Sequence, residues 1–445
     1  MAIFASALLA FSILVGGAAP PRPVFLAILE LLGLVVLALT VLRLGGDGDW
    51  RRHGWALGLA LAVIAVPLIQ LIPLPAPLWA RLPGHQEAAL APALAGATPG
   101  WAALSLTPDR TWATALGLIP ALAVFAACLI LDARRRFTLV VIVLIGATLS
   151  ILLGALQAAS GGDALHIDAR TADGAMAGFF VNRNHFATLI LMSLPFAAAL
   201  AAANRRWPVS PRLLSWVCVL FGLLAVIALA AIRSRAGVVL LAPAMLLSLL
   251  IVARSGEAGR SIRALRLWVL GGVAAGLAVL AFGLSPLMSR FEQAGGGQER
   301  LDRWPDVLEA AGRYQPLGSG LGSFDAVYRS IEPVASLDAT YFNHAHNDYL
   351  ELWLETGWLG MAVLVLALIW AAPRWLKSWS NKGETRGDPL ARAAGAALVL
   401  LALHSVVDFP IRSTTILVLT ALCLGLIAAA DPYRAAPTRK DVVTA

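Results

Sequence analysis

The chain has 445 residues, 59% of them hydrophobic and 13% charged, with a net charge of +8 and a mean hydropathy of +0.78. A soluble domain carries about 25% charged residues, so the composition excludes an ordinary water-soluble enzyme and points to an all-α, polytopic membrane protein. Its three cysteines, Cys128, Cys218 and Cys423, each lie inside an apolar run, which excludes a disulfide framework and offers no metal spacing.

Twelve membrane spans are predicted within one membrane domain, 1–445. The first three fall at about 3–19, 24–42 and 55–74. The first lacks a basic leader and reads as a retained helix. A proline-rich connection, 75–111, closes on Ser105-Leu106-Thr107-Pro108-Asp109 and is expected to form an irregular, partly helical cap. Spans at about 112–131 and 137–159 come next. The segment Gly178-Phe179-Phe180-Val181-Asn182-Arg183-Asn184 then leads into a span at 184–203. Spans at 213–232 and 236–253 are joined by the tight turn Arg233-Ser234-Arg235-Ala236-Gly237. A span at 267–285 precedes the second long connection, 286–351. Apolar positions such as Trp304, Val307 and Tyr328 predict that this connection is ordered, with Ala294–Gln298 flexible. The span at 353–372 is preceded by Asn343-His344-Ala345-His346-Asn347-Asp348-Tyr349-Leu350-Glu351. The connection 373–392, spans at 393–409 and 413–430, and a polar tail, 431–445, complete the chain.

Orientation follows from the basic residues. With the N-terminus in the cytoplasm, 21 of the 34 Lys and Arg residues fall inside, including all three Lys. The connections 75–111 and 286–351 are then periplasmic, and 373–392 and the tail cytoplasmic. The positive charge is thus mainly a matter of topology, and no nucleic-acid surface is implied.

The polar groups at the mouth of span 353–372 are costly at that depth unless paired or used. Arginine forks and backbone amides suit phosphate oxygens, and a histidine near neutrality suits proton transfer. Arg233, Arg235, Arg300 and Arg303 on the outer face therefore mark a site for a pyrophosphate-linked substrate, with His346 as the proton acceptor. Each has a plainer alternative. The arginines can snorkel to headgroups. The glycine-rich Pro316–Phe324 segment can be a simple turn or can expose N–H groups. His344 can cap the helix or bind water. His53, His85 and His185 read as interfacial. His404 and Asp408, four apart, read as facing each other in one helix. If 346–360 is helical, His346, Leu350, Trp353, Gly357 and Gly360 share one stripe, and Asp348, Glu351, Leu352 and Glu355 another. The two glycines would then let a neighbouring helix approach closely.

Together these residues resemble the O-antigen ligase and O-antigen polymerase superfamily of bacterial envelope glycosyltransferases, most closely the ligases. The His-Asn/Ser-x9-Gly-x2-Gly pattern is present as His346-Asn347 and Gly357-Trp358-Leu359-Gly360. The Arg-x3-Trp pattern is present as Arg300 and Trp304, followed by the segment holding Gly318 and Gly320. Ser234-Arg235, the Asn182 and Asn184 segment, and Ser105-Leu106-Thr107-Pro108 follow the same pattern, so the resemblance covers roughly 100–410. It implies a twelve-helix, GT-C-like enzyme of the bacterial inner membrane with a periplasmic site. Such an enzyme moves a glycan from undecaprenyl pyrophosphate to lipid A-core or another acceptor, with no metal, nucleotide or other cofactor. It also implies His346 as catalytic base and Arg235 and Arg300 as pyrophosphate ligands, with Arg233 and Arg303 as alternatives. Asn347, His344, Trp304, Gly318, Gly320, Asn182, Asn184, Gly357 and Gly360 would support them. A polymerase or a protein O-oligosaccharyltransferase of the same superfamily fits the same residues. A transporter of anionic lipid-linked sugar is the rival from another class.

Overall fold

A computed structural model describes residues 1–18, 22–47, 53–96, 98, 100–160, 165, 176–202, 210–255, 266, 269–270, 300–334, 342–380 and 388–430. The expected span at 267–285 (bar 269–270), the segment Ala294–Gln298 and the tail 431–445 lie outside the described residues. The fold is all-α. Helices α1 (Ala2–Val15), α2 (Pro23–Asp47) and α3 (Gly54–Gln70) are followed by α4 (Ala76–Trp79) and α5 (Gln86–Leu94). Next come α6 (Pro108–Gly117), α7 (Ile119–Ile130), α8 (Ala133–Ser160), α9 (Arg183–Ala202), α10 (Pro211–Ile232) and α11 (Arg235–Ser255). Then follow α12 (Trp304–Arg313), α13 (Phe324–Ile331), α14 (Asp348–Ser378), α15 (Pro389–His404) and α16 (Thr414–Ala428).

Among the described residues, seven helical runs are long and apolar enough to cross a membrane: α2, α6 with α7, α8, α9, α10, α11 and α14. The shorter apolar helices are α1, α3, α15 and α16. Each expected span other than 267–285 falls on one of these. The run expected from 112 starts earlier, at Pro108, because proline suits the first helical position, where its missing N–H costs nothing.

Helix α9 is the axis of the bundle. Its apolar window is 89% buried against 22% for α2, and it packs on α8, α10, α11 and α15. The sequence explains this. Helix α9 is apolar all round, and small residues such as Ala197, Ala198 and Ala199 let neighbouring backbones approach. Helix α2 instead turns Val24, Leu31, Val41 and Leu42 outward; on a membrane helix such residues meet lipid tails.

A second, smaller core caps one end of the bundle. Val307, Ala310 and Ala311 on α12 and Phe324, Val327 and Tyr328 on α13 are buried at helical spacing, together with Ala345 and Leu354. The described residues of the connection 75–111 are tied together by a small sheet. Its strands β1 (Pro73–Leu74) and β2 (Ala102–Ala103) pair antiparallel. Trp79 Nε1 donates to the Ala103 carbonyl at 2.6 Å. His85, expected at an interface, is instead buried, with its ring nitrogens 2.9 Å from the carbonyls of Pro83 and Leu104.

The three cysteines are buried and free, so a single added cysteine reports alone. Val334 and Ser380 are exposed on the segments expected outside and inside. In cells with a permeable outer membrane, an impermeant thiol reagent should label Val334→Cys and leave Ser380→Cys unlabelled. The reverse pattern would invert the topology.

Candidate active site

Helix α14 begins at Asp348, two residues later than the His346 stripe requires. Asn347 is its cap: the side-chain Oδ1 accepts from the N–H groups of Tyr349 (3.0 Å) and Leu350 (3.1 Å). His346 therefore stands outside the helix, with φ +48°. Non-glycine residues rarely adopt this left-handed conformation, and it marks a position held by its surroundings. The holding groups flank Ala345. Its N–H donates to Glu351 Oε2 (2.9 Å), and its carbonyl accepts from Trp304 Nε1 (3.1 Å).

The twist turns His346 Nδ1 toward Asp408 Oδ1, 3.6 Å away, an ion-pair distance just beyond a hydrogen bond. Nδ1 is buried and has no hydrogen bond among the described residues, while 15% of the side chain is exposed. The accessible nitrogen is thus Nε2. With the proton on Nδ1, facing the carboxylate, the Nε2 lone pair is open to substrate. Burial pushes this imidazole below its ordinary value, and the Arg300 charge adds to that. The Asp408 carboxylate pulls the other way without reversing it. Burial therefore favours the neutral imidazole, the form a base requires.

Asp408 was expected to face His404 along one helix. It does not, because α15 ends at His404 and Asp408 lies in the turn that follows. His404 Nδ1 bonds Thr188 Oγ1 (2.9 Å). The Asp408 carboxylate accepts from Asn184 Nδ2 and from the Phe409 N–H, and lies 4.0 Å from His185 Nε2. His185, read as interfacial, is 1% exposed inside this network. Asn182 orders the start of α9 by accepting from the Asn184 N–H at 2.8 Å. The N-terminus of α9, the residues before α14 and the turn after α15 thus converge on one carboxylate.

His344 does not cap the helix. Its Nδ1 bonds Glu351 Oε1 at 2.8 Å, and its ring stacks on Phe409 with centroids 4.1 Å apart. Glu351 belongs to a stripe with Asp348 and Glu355, all buried. Arg412, from the short 3₁₀ turn Pro410–Arg412, answers this stripe. Its guanidinium donates to Glu355 Oε2 (2.7 Å) and lies 3.5 Å from Glu351 and 3.9 Å from Asp348. Sequence reading placed the carboxylates on one face but missed their partner. Three acidic side chains at one helical spacing, beside an arginine between the last two apolar runs, were the available signal.

The other predicted residues are distributed unevenly. Arg300 is close enough for its charge to act on His346. Arg235 opens α11, whose N-terminal turn meets α9: a Cβ on Gly237 would lie 3.0 Å from the Ala187 side chain. Arg233 is exposed at the left-handed C-cap of α10. Arg303 is buried, paired with Glu332 at 2.7 Å and lying over the Phe342 ring.

The glycine-rich segment exposes no row of amides. The N–H groups of Gly318, Ser319 and Gly320 donate to the carbonyls of Tyr314, Leu354 and Glu355. Those of Gly322 and Phe324 donate to Glu355 Oε1, and that of Leu321 to Gln70 Oε1. The segment is a latch on α14, not an anion cradle. Gly357 explains why the latch exists. It has φ +55° and ψ −150° and breaks the helix, so it does not continue a stripe from His346. The Trp358 N–H donates to the Pro316 carbonyl. A Cβ on Gly357 would lie 2.2 Å from that same oxygen, and one on Gly318 would lie 2.5 Å from the Glu355 carbonyl oxygen. The neighbour that Gly357 admits is this loop, not a helix, while the atoms nearest to a Cβ on Gly360 belong to the Thr356 side chain of its own helix. Gly320, with φ +109°, comes as close to Ser105, whose neighbour Leu106 donates its N–H to the Ser319 carbonyl (2.9 Å).

Among the described residues, no three His, Cys, Asp or Glu side chains are grouped to hold a metal ion. A protein-family model described as O-antigen ligase matches residues 220–365. The matched stretch contains Arg233, Arg235, Arg300, the glycine-rich segment, His344, His346 and the break in α14. It leaves out Asn184, His185, Asp408 and Arg412. No curated protein matches the chain.

Replacing Gly357 with Ala should destabilise the protein by about 1–3 kcal/mol through its left-handed backbone, and further through the clash with Pro316. Thermal unfolding in detergent measures this. A Gly312→Ala variant should lose less, because its backbone has no positive φ and a Cβ there meets nothing within 4 Å. Equal melting temperatures for Gly357→Ala and wild type would remove the break from this account.

Proposed function

Starting from the O-antigen ligase family, which the match over 220–365 supports, we propose that the protein transfers a glycan from undecaprenyl pyrophosphate to an acceptor hydroxyl. The site faces the periplasm from the bacterial inner membrane, and the transfer is O-antigen ligation to lipid A-core. The observation that carries this reading is His346. Its burial favours the neutral form; it follows the clamped Ala345, faces Asp408 through Nδ1, leaves Nε2 open and lies within reach of the Arg300 charge.

The reaction is a single displacement. The acceptor hydroxyl attacks the anomeric carbon while Nε2 of His346 takes its proton. The bond from that carbon to the phosphate oxygen breaks, and the electron pair leaves with the pyrophosphate. Asp408 offsets the charge of the imidazolium that forms, as a carboxylate behind a catalytic histidine does. Arg300 and Arg235 meet the charge growing on the leaving group, which is where most of the rate enhancement belongs. The donor is already activated, and these side chains supply both the base and the charge stabilisation, so the scheme calls for no metal.

A deletion strain tests the reaction class. Lipid A-core free of polymer is the expected phenotype. Core carrying a single repeat unit would make the protein a polymerase, and unaltered glycans would remove the reading.

Transfer from a purified lipid-linked donor tests the site. His346→Ala should lower turnover by about 10²–10⁴-fold. In wild type, kcat/KM should fall on acidification through a pKa below the ordinary 6.5 of histidine. Asp408→Asn should lower the rate and move that limb to still lower pH, because the carboxylate raises the His346 pKa. A limb that stayed in place would detach Asp408 from the base.

A further inference from the structure

The arrangement of His344 goes beyond support for its neighbour. Its Nδ1 is committed to Glu351 Oε1 at 2.8 Å. Glu351 is 1% exposed, and its other oxygen accepts the Ala345 N–H. Its oxygens accept from the Ala345 N–H and face His344, with Arg412 Nε 3.5 Å away offsetting the neighbouring Asp348 and Glu355 carboxylates, so the carboxylate is an acceptor and Nδ1 of His344 carries a proton. The His344 side chain keeps 21% of its surface exposed, and its Nε2 is neither buried nor hydrogen-bonded among the described residues. The rings of His344 and His346 both lie on Phe409, one stacked at 4.1 Å and the other edge-on at 4.9 Å. Two imidazoles therefore share contact with one phenyl ring, one backed by Asp408 and the other by Glu351.

We propose that His344 is a second catalytic residue, an imidazolium whose Nε2–H donates to the pyrophosphate oxygen from which the glycan departs. This rests on the glycosyl-transfer reading and divides its labour between two histidines. The acceptor proton goes to His346. The electron pair of the broken carbon–oxygen bond goes to the phosphate oxygen. His344 keeps its proton and contributes a charge-assisted hydrogen bond that strengthens as the oxygen becomes an anion.

The electrostatics run the same way. Burial alone would lower the His344 imidazole, but the Glu351 charge and hydrogen bond outweigh it. Glu355 assists and Arg412 opposes, and the result lies above the ordinary histidine value. His346 is shifted downward. Its imidazole and that of His185, from α9, also lie within electrostatic reach of His344. Two like groups whose surroundings drive them apart are the usual mark of a divided acid and base role.

The experiment uses the full-length protein in detergent, with Glu351→Gln and His344→Asn as variants. Wild-type kcat/KM should be bell-shaped in pH, with an alkaline limb above the ordinary histidine pKa. His344→Asn should abolish that limb. Glu351→Gln should move it to lower pH, because the lost carboxylate is what raised it. Inorganic pyrophosphate is the second probe. Its affinity, measured by calorimetry without turnover, should fall about tenfold or more in His344→Asn, as expected for one charge-assisted hydrogen bond. An unmoved alkaline limb together with unchanged pyrophosphate affinity would leave His344 a mere strut for Glu351 and overturn the proposal. Should His344→Asn fail to fold, the limb shift in Glu351→Gln decides alone. Absence of transfer by wild type would remove the reaction, whereas transfer with an unmoved limb removes only this role for His344.

Discussion

A helix broken within a membrane protein has to find new partners for the peptide groups that the break releases, because lipid supplies none. Helix α14 is broken at Gly357, and peptide groups beside the break are answered mainly by the glycine-rich segment. The carbonyls of Leu354 and Glu355 take the N–H groups of Ser319 and Gly320, and the Trp358 N–H turns to Pro316. Gln70, at the end of α3, adds a bond to the Glu355 carbonyl at 2.7 Å. The glycine-rich segment is therefore a structural complement of the broken helix. The glycines on both sides are needed because the two backbones approach more closely than a Cβ allows.

That junction fixes the far end of a rigid unit whose near end is His346. Between them, Asp348, Glu351 and Glu355 lie on one helical face. One turn of helix separates the backbone clamp on Ala345, made by Glu351, from the clamp on the glycine-rich segment, made by Glu355. Arg412 closes the row. Buried carboxylates are costly without such a counter-charge, so the turn between α15 and α16 has to dock against α14. The docking carries Phe409 and Asp408 to the two histidines. The same interactions that stabilise the break thus deliver the groups that polarise the site.

The family match ends at residue 365, whereas the network around His346 draws on both flanks of that stretch. Asn184 and His185 come from the most buried helix of the bundle, and Asp408 from a turn near the end of the chain. His346 is carried by the matched region. The carboxylate that faces its Nδ1 lies outside it, held in place by the packing of α15 against α9.

The sequence by itself determined what depends on local pattern. Apolar run length located the helices, the aromatic and apolar positions of 304–328 marked an ordered connection, and the His346-Asn347 and Arg300-x3-Trp304 spacings singled out the segments that meet at the site. It also placed three carboxylates in one stripe. Partners distant in the chain were beyond its reach. Asp408 lies 62 positions from His346, and its assignment to His404 was the best that local spacing could offer. The same limit explains Trp304, whose ring nitrogen holds the Ala345 carbonyl, and Gly357, whose left-handed backbone is meaningful only beside Pro316. A helical stripe drawn through His346 failed because Asn347 caps the helix one residue later, a competition between side-chain and backbone acceptors that tertiary contacts decide. Periodicity encodes which face is apolar; only the closed bundle, where buried charge must be neutralised and every released peptide group paired, decides which charges meet.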